Sequence, residues 1–492
     1  MSHTLLWADL HTHQDVGYGR GSLERAIAIA QSHLDVWCAT PQAAWPDLPD
    51  ADSDIRERHL AGFEVTRVNW PRVKRLTAEA DRPGEFVALL GYEWHSSRWG
   101  DWCLTYPTDE GDLVLPDTLE GLQEHARAAG ALLIPHHVAY AAGRRGADFS
   151  MLAPDLTPVV EMYSEHGSSE HDRGPFAMHG HSMGGRSTAN TLSALWAAGA
   201  RVGVIAGTDD HLGCPGAYGE GLAGIWAAER TRAAVLEALH DRRTYAVTGD
   251  RVRLTFTVNG QPMGSEVGLT DRRRIEVGVD APDELDRVEV LRDGRVIHRW
   301  FPDDAPPTAA DLDAPVHCRI EFGWGPAGSV ESTRVTEWLV TARIEGGQIL
   351  DVLPCFQSGP FDEDRRNRVL ERSDAHCRWE SITSRRQAFR GIPTNAVILR
   401  IAGGVDTRLT LDLERPATDT VRASLGDLLV RNAVQFTGPF PSESLMAHRL
   451  VPQRMSRTAV AFDDDRPEPA RYRVRVTESN GHMAWSSPIW VG

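Results

Sequence analysis

Five apolar runs in this chain end in side chains that can bind a hard or borderline cation. Leu5–Leu10 leads into His11-Thr12-His13, Val87–Tyr92 into Glu93, Leu132–Pro135 into His136-His137, Pro158–Val160 into Glu161, and Val202–Thr208 into Asp209-Asp210-His211. One such ending means little, because a lone buried His is commonly a hydrogen-bonded core residue. Five have a shared explanation. If the runs are parallel strands of a β/α barrel, their C-terminal ends lie on one face, and residues far apart in sequence meet there. Side chains alternate along a strand with period two, so the imidazoles of His11 and His13 project to the same side and can chelate one ion. A carboxylate such as Glu93 can bridge two. Nitrogen and oxygen donors without thiolate suit Mn, Zn or Fe and do not select among them. The expectation is a pair of divalent metal ions held by His11, His13, Glu93, His136, Asp209 and His211, activating water for hydrolysis.

The elements that would position these residues lie between the runs. Ser22 can cap a helix reaching about Leu34, with Leu23, Ala26, Ile27 and Ala30 on one face. Thr118 can start another that Gly130 stops, and Thr231 a third with Ala234, Val235, Ala238 and Leu239 on its buried side. Strands alternating with such helices imply βα units around a parallel sheet. After about Val247 the pattern changes to short β-rich runs, among them Val252–Val258, Arg274–Val279, Arg287–Leu291 and Glu337–Ile344. Asn259-Gly260, Asp293-Gly294 and Gly346-Gly347 are the turn signals between them. The predicted architecture is α/β over residues 1–250 followed by a β-sandwich-like domain over 251–492, with Pro302–Pro315 a surface loop.

At 492 residues the chain exceeds one ordinary core and fits two domains. Acidic residues outnumber basic ones by 69 to 52, and the resulting net charge of −17 repels phosphate backbones and anionic headgroups. Neither nucleic acid nor a membrane is expected as a partner, and an anionic small molecule is. No apolar run reaches about 18 residues, and the N-terminal stretch lacks a basic segment followed by an apolar one. The chain therefore reads as cytoplasmic. Its six cysteines form no CxxC pair, which argues against a disulfide framework and a thiolate zinc site. Cys214 alone stays in view, three residues after His211.

Asp9-Leu10-His11-Thr12-His13, Gly91-Tyr92-Glu93, Pro135-His136-His137 and Asp209-Asp210-His211, in that order, resemble the polymerase and histidinol phosphatase (PHP) family of metallohydrolases. The likeness covers residues 1 to about 250 and implies a distorted (β/α)7 barrel with a two- or three-metal cluster. Tyr163–Gly167, Gly213–Gly216 and Tyr245–Arg251 look like a bacterial branch of that family, and Ala484–Trp490 extends the likeness into the C-terminal half. The resemblance implies that His11, His13, Glu93 and Asp209 hold one metal and Glu93 with His136 a second. The chain departs from the family at Thr40-Pro41-Gln42, where Thr-Asp-His is common, and after His13, where only Asp15 follows closely. After the Glu strand it shows Asp101-Trp102-Cys103 where a His is common. A third metal position thus keeps His211 without its usual companions.

The segment Ser164–Thr191 is Gly-rich, contains His166, His171, His179 and His181, and is long enough to cover a barrel mouth. His166 is the first choice for a substituted second-metal ligand or a proton donor, and Asp210 is the other candidate acid. His171, His179 and His181 read as lid or surface residues. Arg144, Arg145 and Arg186, with His137, could grip an anionic substrate. Trp94, Trp99 and Trp102 could line a pocket or pack in a core, and His33, His59, His125 and His240 are given no role. The functional expectation is a metal-dependent hydrolase, a phosphoesterase by the resemblance. Its alternatives are amide, lactone or other ester hydrolysis on the same metals, and a degenerate barrel acting as a binding platform. The β-rich half could bind carbohydrate or form a homo-oligomer, and its sequence favours neither.

Overall fold

The chain order through the first half is β1 (Thr4–Asp9), α1 (Leu23–His33), β2 (Val36–Ala39), β3 (Gln42–Ala44), α2 (Ser53–Ala80), β4 (Val87–Trp94), β5 (Asp101–Thr105), α3 (Leu119–Ala129) and β6 (Leu132–His136). It continues with β7 (Val159–Ser164), β8 (Gly167–Ser168), α4 (Leu192–Ala197), β9 (Gly203–Ala206), β10 (Leu222–Ala227), α5 (Arg232–His240) and β11 (Thr244–Val247). This is a computed structural model, which describes residues 3–50, 53–178, 183–323, 335–359, 366–384 and 394–492. His179 and His181 fall outside them. Ser22, Thr118 and Thr231 cap α1, α3 and α5 as expected, each side chain accepting a bond from the backbone N–H three residues on. Gly130 ends α3 in the left-handed conformation at φ 64°. Helix α2, 28 residues with Pro71 inside, has no counterpart among the sequence-based expectations.

β1 pairs in parallel with β2, and β2 with β4, so the ends leading to His11 and Glu93 open on one edge. β5 runs antiparallel between β4 and β6, which makes β6 parallel to β4 and brings His136 to the same edge. β7 and β9 pair in parallel and carry Glu161 and the approach to Asp209. A bridge between Thr12 and Asp210, with His13 N–H donating to the Asp210 carbonyl at 2.9 Å, joins the first ending to the last.

The molecule is a mixed, sheet-rich α/β protein with few helices, and the expected (β/α)7 barrel needs correction. β5 is inserted antiparallel where a barrel would have a crossover helix, β10 runs antiparallel to β1, and β11 runs antiparallel to β10. β7, β8 and β9 form a separate three-stranded sheet, and among the described residues no ladder closes it onto β6 or β11. The division at residue 250 follows a change in element type, but a hydrogen-bonded sheet crosses it. β11 pairs with Met483–Ser486, which pairs with Ala470–Glu478, which pairs with Leu285–Arg292. Buried Glu170 reinforces the crossing: it accepts from Trp485 Nε1 at 2.8 Å and pairs with Arg473 at 2.6 Å and Arg475 at 3.1 Å.

The β-rich half is built round two cores. Leu254, Phe256, Val277 and Val460 of a four-stranded sheet share one core with Val288, Val290, Val474 and Val476 of the large sheet, a sandwich-like packing. A second core lies in an eight-stranded sheet that includes Val335–Cys355 and Thr394–Arg415, with Phe322, Trp338 and Trp379 at its centre. Asn259-Gly260 and Asp293-Gly294 make the expected hairpin turns, with φ of 51° and 75°, and 50° and 82°. All six cysteines are buried and unpaired. No described helix is long and apolar enough to cross a membrane.

Candidate metal centre

Asp9, the last residue of β1, accepts from Thr208 N at 3.0 Å, Thr208 Oγ1 at 2.7 Å and Gly216 N at 2.8 Å, tying the His11 loop to the loop after β9. Beyond it, His11 Nε2 and His13 Nε2 lie 3.2 Å apart, with Asp209 Oδ1 3.4 Å from the first and 2.9 Å from the second. Glu93 closes the group. Its Oε2 is 3.6 Å from His13 Nε2, and its Oε1 is 2.8 Å from His136 Nε2 and 3.2 Å from His95 Nδ1. Asp209 extends it, with Oδ2 3.0 Å from His166 Nε2 and Oδ1 3.7 Å from His211 Nδ1. The His137 ring packs on His166 at 4.5 Å, and its Nε2 is 3.4 Å from Asp101 Oδ2. Asp209 and His137 both take left-handed backbone, at φ 57° and 32°. Such strain, roughly 1–3 kcal/mol per residue, persists where surrounding structure enforces it and gathers at functional sites.

Burial lowers His11, His13, His137 and His166 below the usual imidazole range despite the facing carboxylates. A neutral imidazole is the form with a lone pair to offer. For His11 the free nitrogen is set by Glu161, whose Oε2 lies 2.9 Å from Nδ1. With the ring hydrogen given to Glu161, Nε2 faces His13 and Asp209 as a donor of electrons. Burial would raise Glu93, but His95, His13 and His136 outweigh it and hold the carboxyl low. Burial would likewise raise Asp209, and His11 and His166 hold it well below the usual carboxylate range. His211 goes the other way: burial would lower it, but Glu165 and Asp209 raise it to about 9.

Two imidazole nitrogens face each other, and the buried Glu93 Oε2 has no hydrogen-bond donor. That is a cage of lone pairs which a divalent cation would satisfy at once, and the residues present fit such an ion. Overlapping groups of ligating atoms lie mutually within 4.8 Å: His11–His13–Glu93, Glu93–Asp101–His136–His137, His13–Asp209–His211, His137–His166–Asp209 and His11–Cys103–His136. Because Glu93 and Asp209 each belong to two of them, the pocket has the donors for more than one cation.

The structure gathers His11, His13, Glu93, His136, Asp209, His211, His137 and His166 into this cluster. Asp210 stays out. Its Oδ1 accepts from Leu212 N at 3.0 Å and Cys214 N at 2.6 Å, and its Oδ2 bonds Ser358 Oγ, so its carboxylate shapes the turn rather than facing the cluster. Arg186 is spent on the carbonyls of Ser168, Gly174 and Pro175, and Arg144 is exposed in a turn. Arg145 does reach the cluster, paired with Asp101 and stacked 5.1 Å over Trp45. Asp15 is exposed, 3.9 Å from Arg72 and away from the cluster. Trp94 and Trp102 are core residues with no exposure.

Sequence reasoning missed His95, two residues after Glu93, where the period-two argument used for His11 and His13 would have found it. It also read Asp101 as marking an absent His, whereas Asp101 anchors His95, His137 and Arg145. The cysteine beside the cluster is Cys103, 3.7 Å from His136 Nδ1, rather than Cys214.

A family model described as "Protein of unknown function (DUF3604)" matches residues 214–267. Uncharacterized proteins of Chlamydia pneumoniae and Chlamydia trachomatis serovar D are 33% identical over 180 residues and 26% identical over 257. The matches cover 33% and 47% of this chain and 29% and 41% of those proteins, so the chain spans less than half the length of these curated relatives. A solved two-domain protein from Bacteroides vulgatus, described as containing a predicted PHP-like metal-dependent phosphoesterase, is similar over 86% of this chain and 95% of that one. The identity is 11% and the TM-score 0.33.

Proposed function

We propose that the chain is a metal-dependent hydrolase of a small anionic ester, with a phosphate ester as the first candidate. The observation that carries this reading is the convergence of buried imidazoles and carboxylates from five strand ends into overlapping ligand groups. The order of the motifs, which resembles the PHP family, favours phosphorus over carbon as the centre attacked. His11, His13, Glu93 and Asp209 would hold one divalent cation, and Glu93 with His136 a second. Such ions supply Lewis acidity and bring the pKa of water in contact with them towards neutrality.

The chain's own groups orient and move protons. Glu161 fixes the His11 ring. An ionised Asp209 can only accept a hydrogen bond, so His166 carries its hydrogen on Nε2 and accepts from the Tyr140 hydroxyl at Nδ1, 2.6 Å away. To protonate the departing oxygen the ring must first be imidazolium, with a second hydrogen on Nδ1 facing Tyr140. Its Nε2 proton would then pass to that oxygen as the ester bond breaks, leaving a neutral ring, while water supplies the hydroxyl to phosphorus and its other proton recharges the ring. Arg145, fixed by Asp101, sets permanent positive charge beside Glu93 and His137 to meet the anion. A binding platform would need only one of the overlapping groups.

The test is a panel of phosphate esters and simple carboxyl esters incubated with the full chain supplied with manganese, zinc or iron. Phosphate release that disappears in Asp209→Asn is the expected result. Turnover of carboxyl esters alone would move the reading to carbon centres, and no turnover of either class would overturn it.

A further inference from the structure

Among the described residues, the cluster meets solvent at one edge. The His211 side chain is 28% exposed, whereas those of His11, His13, Glu93, His136, His166 and Asp209 are 3% or less. The ring on that edge is Tyr18. It stacks on His211 at 5.7 Å and on His95 at 6.1 Å, with its hydroxyl 3.4 Å from His95 Nε2. Helix α2 completes the wall: His59 and Phe63, one turn apart on one face, pack edge-on against Tyr18 at 4.8 and 6.3 Å. Trp45 meets His59 at 5.5 Å and His95 at 5.4 Å.

The placement is specified by the backbone. A Cβ on Gly62 would come within 2.8 Å of Tyr18 Cβ, so glycine there lets α2 seat directly against the ring. Trp94 and Trp102 are sealed in the core, but Tyr18, His59 and Phe63 are only half-buried, so the wall keeps an open side. Exposed Arg58 lies 5.8 Å over Tyr18 and adds positive charge at the rim.

From this arrangement we infer that Tyr18, His59 and Phe63 form the leaving-group subsite and that the substrate is an anionic ester whose leaving group is planar and aromatic; this rests on the hydrolase reading above. A planar ring gains face and edge contacts with these side chains that an alkyl group of similar size does not. An anion carrying it is drawn by Arg58 at the rim and by Arg145 inside. The sequence assigned His59 no role, because it lies on a helix rather than at a strand end.

Four non-hydrolysable or unreactive probes separate the possibilities: phenylphosphonate, cyclohexylphosphonate, phenylacetate and cyclohexylacetate, titrated calorimetrically into the manganese-supplied full chain. Phenylphosphonate is expected to bind about tenfold more tightly than cyclohexylphosphonate, equivalent to about 1.4 kcal/mol. In the surface double variant His59→Ala/Phe63→Leu that preference should fall to within about threefold. Equal binding of the two phosphonates by the wild-type chain overturns the aromatic subsite and leaves the phosphoesterase reading standing. Phenylacetate binding more tightly than cyclohexylacetate, with neither phosphonate bound, supports the subsite and overturns the phosphoester reading. Binding of none of the four overturns both.

Discussion

Glu161 tests the architecture of the site without being a proposed ligand itself. Its Oε2 is 2.9 Å from His11 Nδ1, and both side chains are 2% exposed, so solvent cannot replace the contact. Glu161→Gln keeps the volume and leaves an amide oxygen to accept the ring hydrogen; burial and Asp209 already push the Glu161 carboxyl well above the usual carboxylate range, so the loss of charge adds little to the change. Partners of this kind contribute about 10–100-fold to metal affinity, or about 1.4–2.7 kcal/mol. Gln should fall near the lower end. Glu161→Leu removes the acceptor, lets the imidazole take the other tautomer, and should approach the upper end. The assay is competition between the metal-free chain and a chromophoric chelator for zinc or manganese, with circular dichroism as the control for folding. Affinity unchanged within about twofold in both variants, while His11→Ala still weakens binding, would refute the claim that Glu161 orients His11.

Glu93→Gln should abolish most turnover and lose one metal equivalent while leaving the circular dichroism spectrum unchanged, since an amide cannot offset two cations as a carboxylate does; normal turnover would remove Glu93 from the site. His166→Ala should lower kcat at least ~10-fold with a smaller change in KM if His166 donates the leaving-group proton, and a purely KM effect would contradict that role. Glu170 ties the two halves of the chain: burial would raise it, but Arg473 and Arg475 outweigh burial and hold it at about 2. Relative to an ordinary value of 4.5, this makes Glu170→Gln cost about 3 kcal/mol at neutral pH. A depressed carboxyl contributes fully above its unfolded pKa and loses the contribution as pH falls, so the urea-midpoint gap between wild type and variant should narrow between pH 4.5 and about 2. A gap independent of pH would show that packing, not charge, sets the cost.

The site was legible to the extent that period-two strand logic reaches. His11, His13, Glu93, His136 and Asp209 end apolar runs, and each run became a buried strand feeding one edge. Ser22, Thr118, Gly130 and Thr231 acted locally, through side-chain or backbone geometry that needs no tertiary partner. The departure from the expected barrel was not legible because the pattern of apolar runs does not distinguish a parallel strand from the antiparallel β5 or β10. α2 was missed because its buried stripe, Gly62, Thr66, Trp70, Val73, Thr77 and Ala80, is only weakly apolar and Pro71 lies inside the helix, and what holds it is long-range contact, such as Thr66 Oγ1 donating to the Gln42 carbonyl. Asp210 and Arg186 were misassigned for the same reason: their partners, Ser358 and the carbonyls of Ser168, Gly174 and Pro175, become visible only once the chain is folded.

Metal counting tests the central claim most directly. The full chain, loaded with manganese and passed through a desalting column, should retain two equivalents by elemental analysis, and Asp209→Ala should retain fewer while remaining folded by circular dichroism. Less than one equivalent on the wild-type chain, or the same count in Asp209→Ala, would contradict the assignment of this cluster as a metal centre.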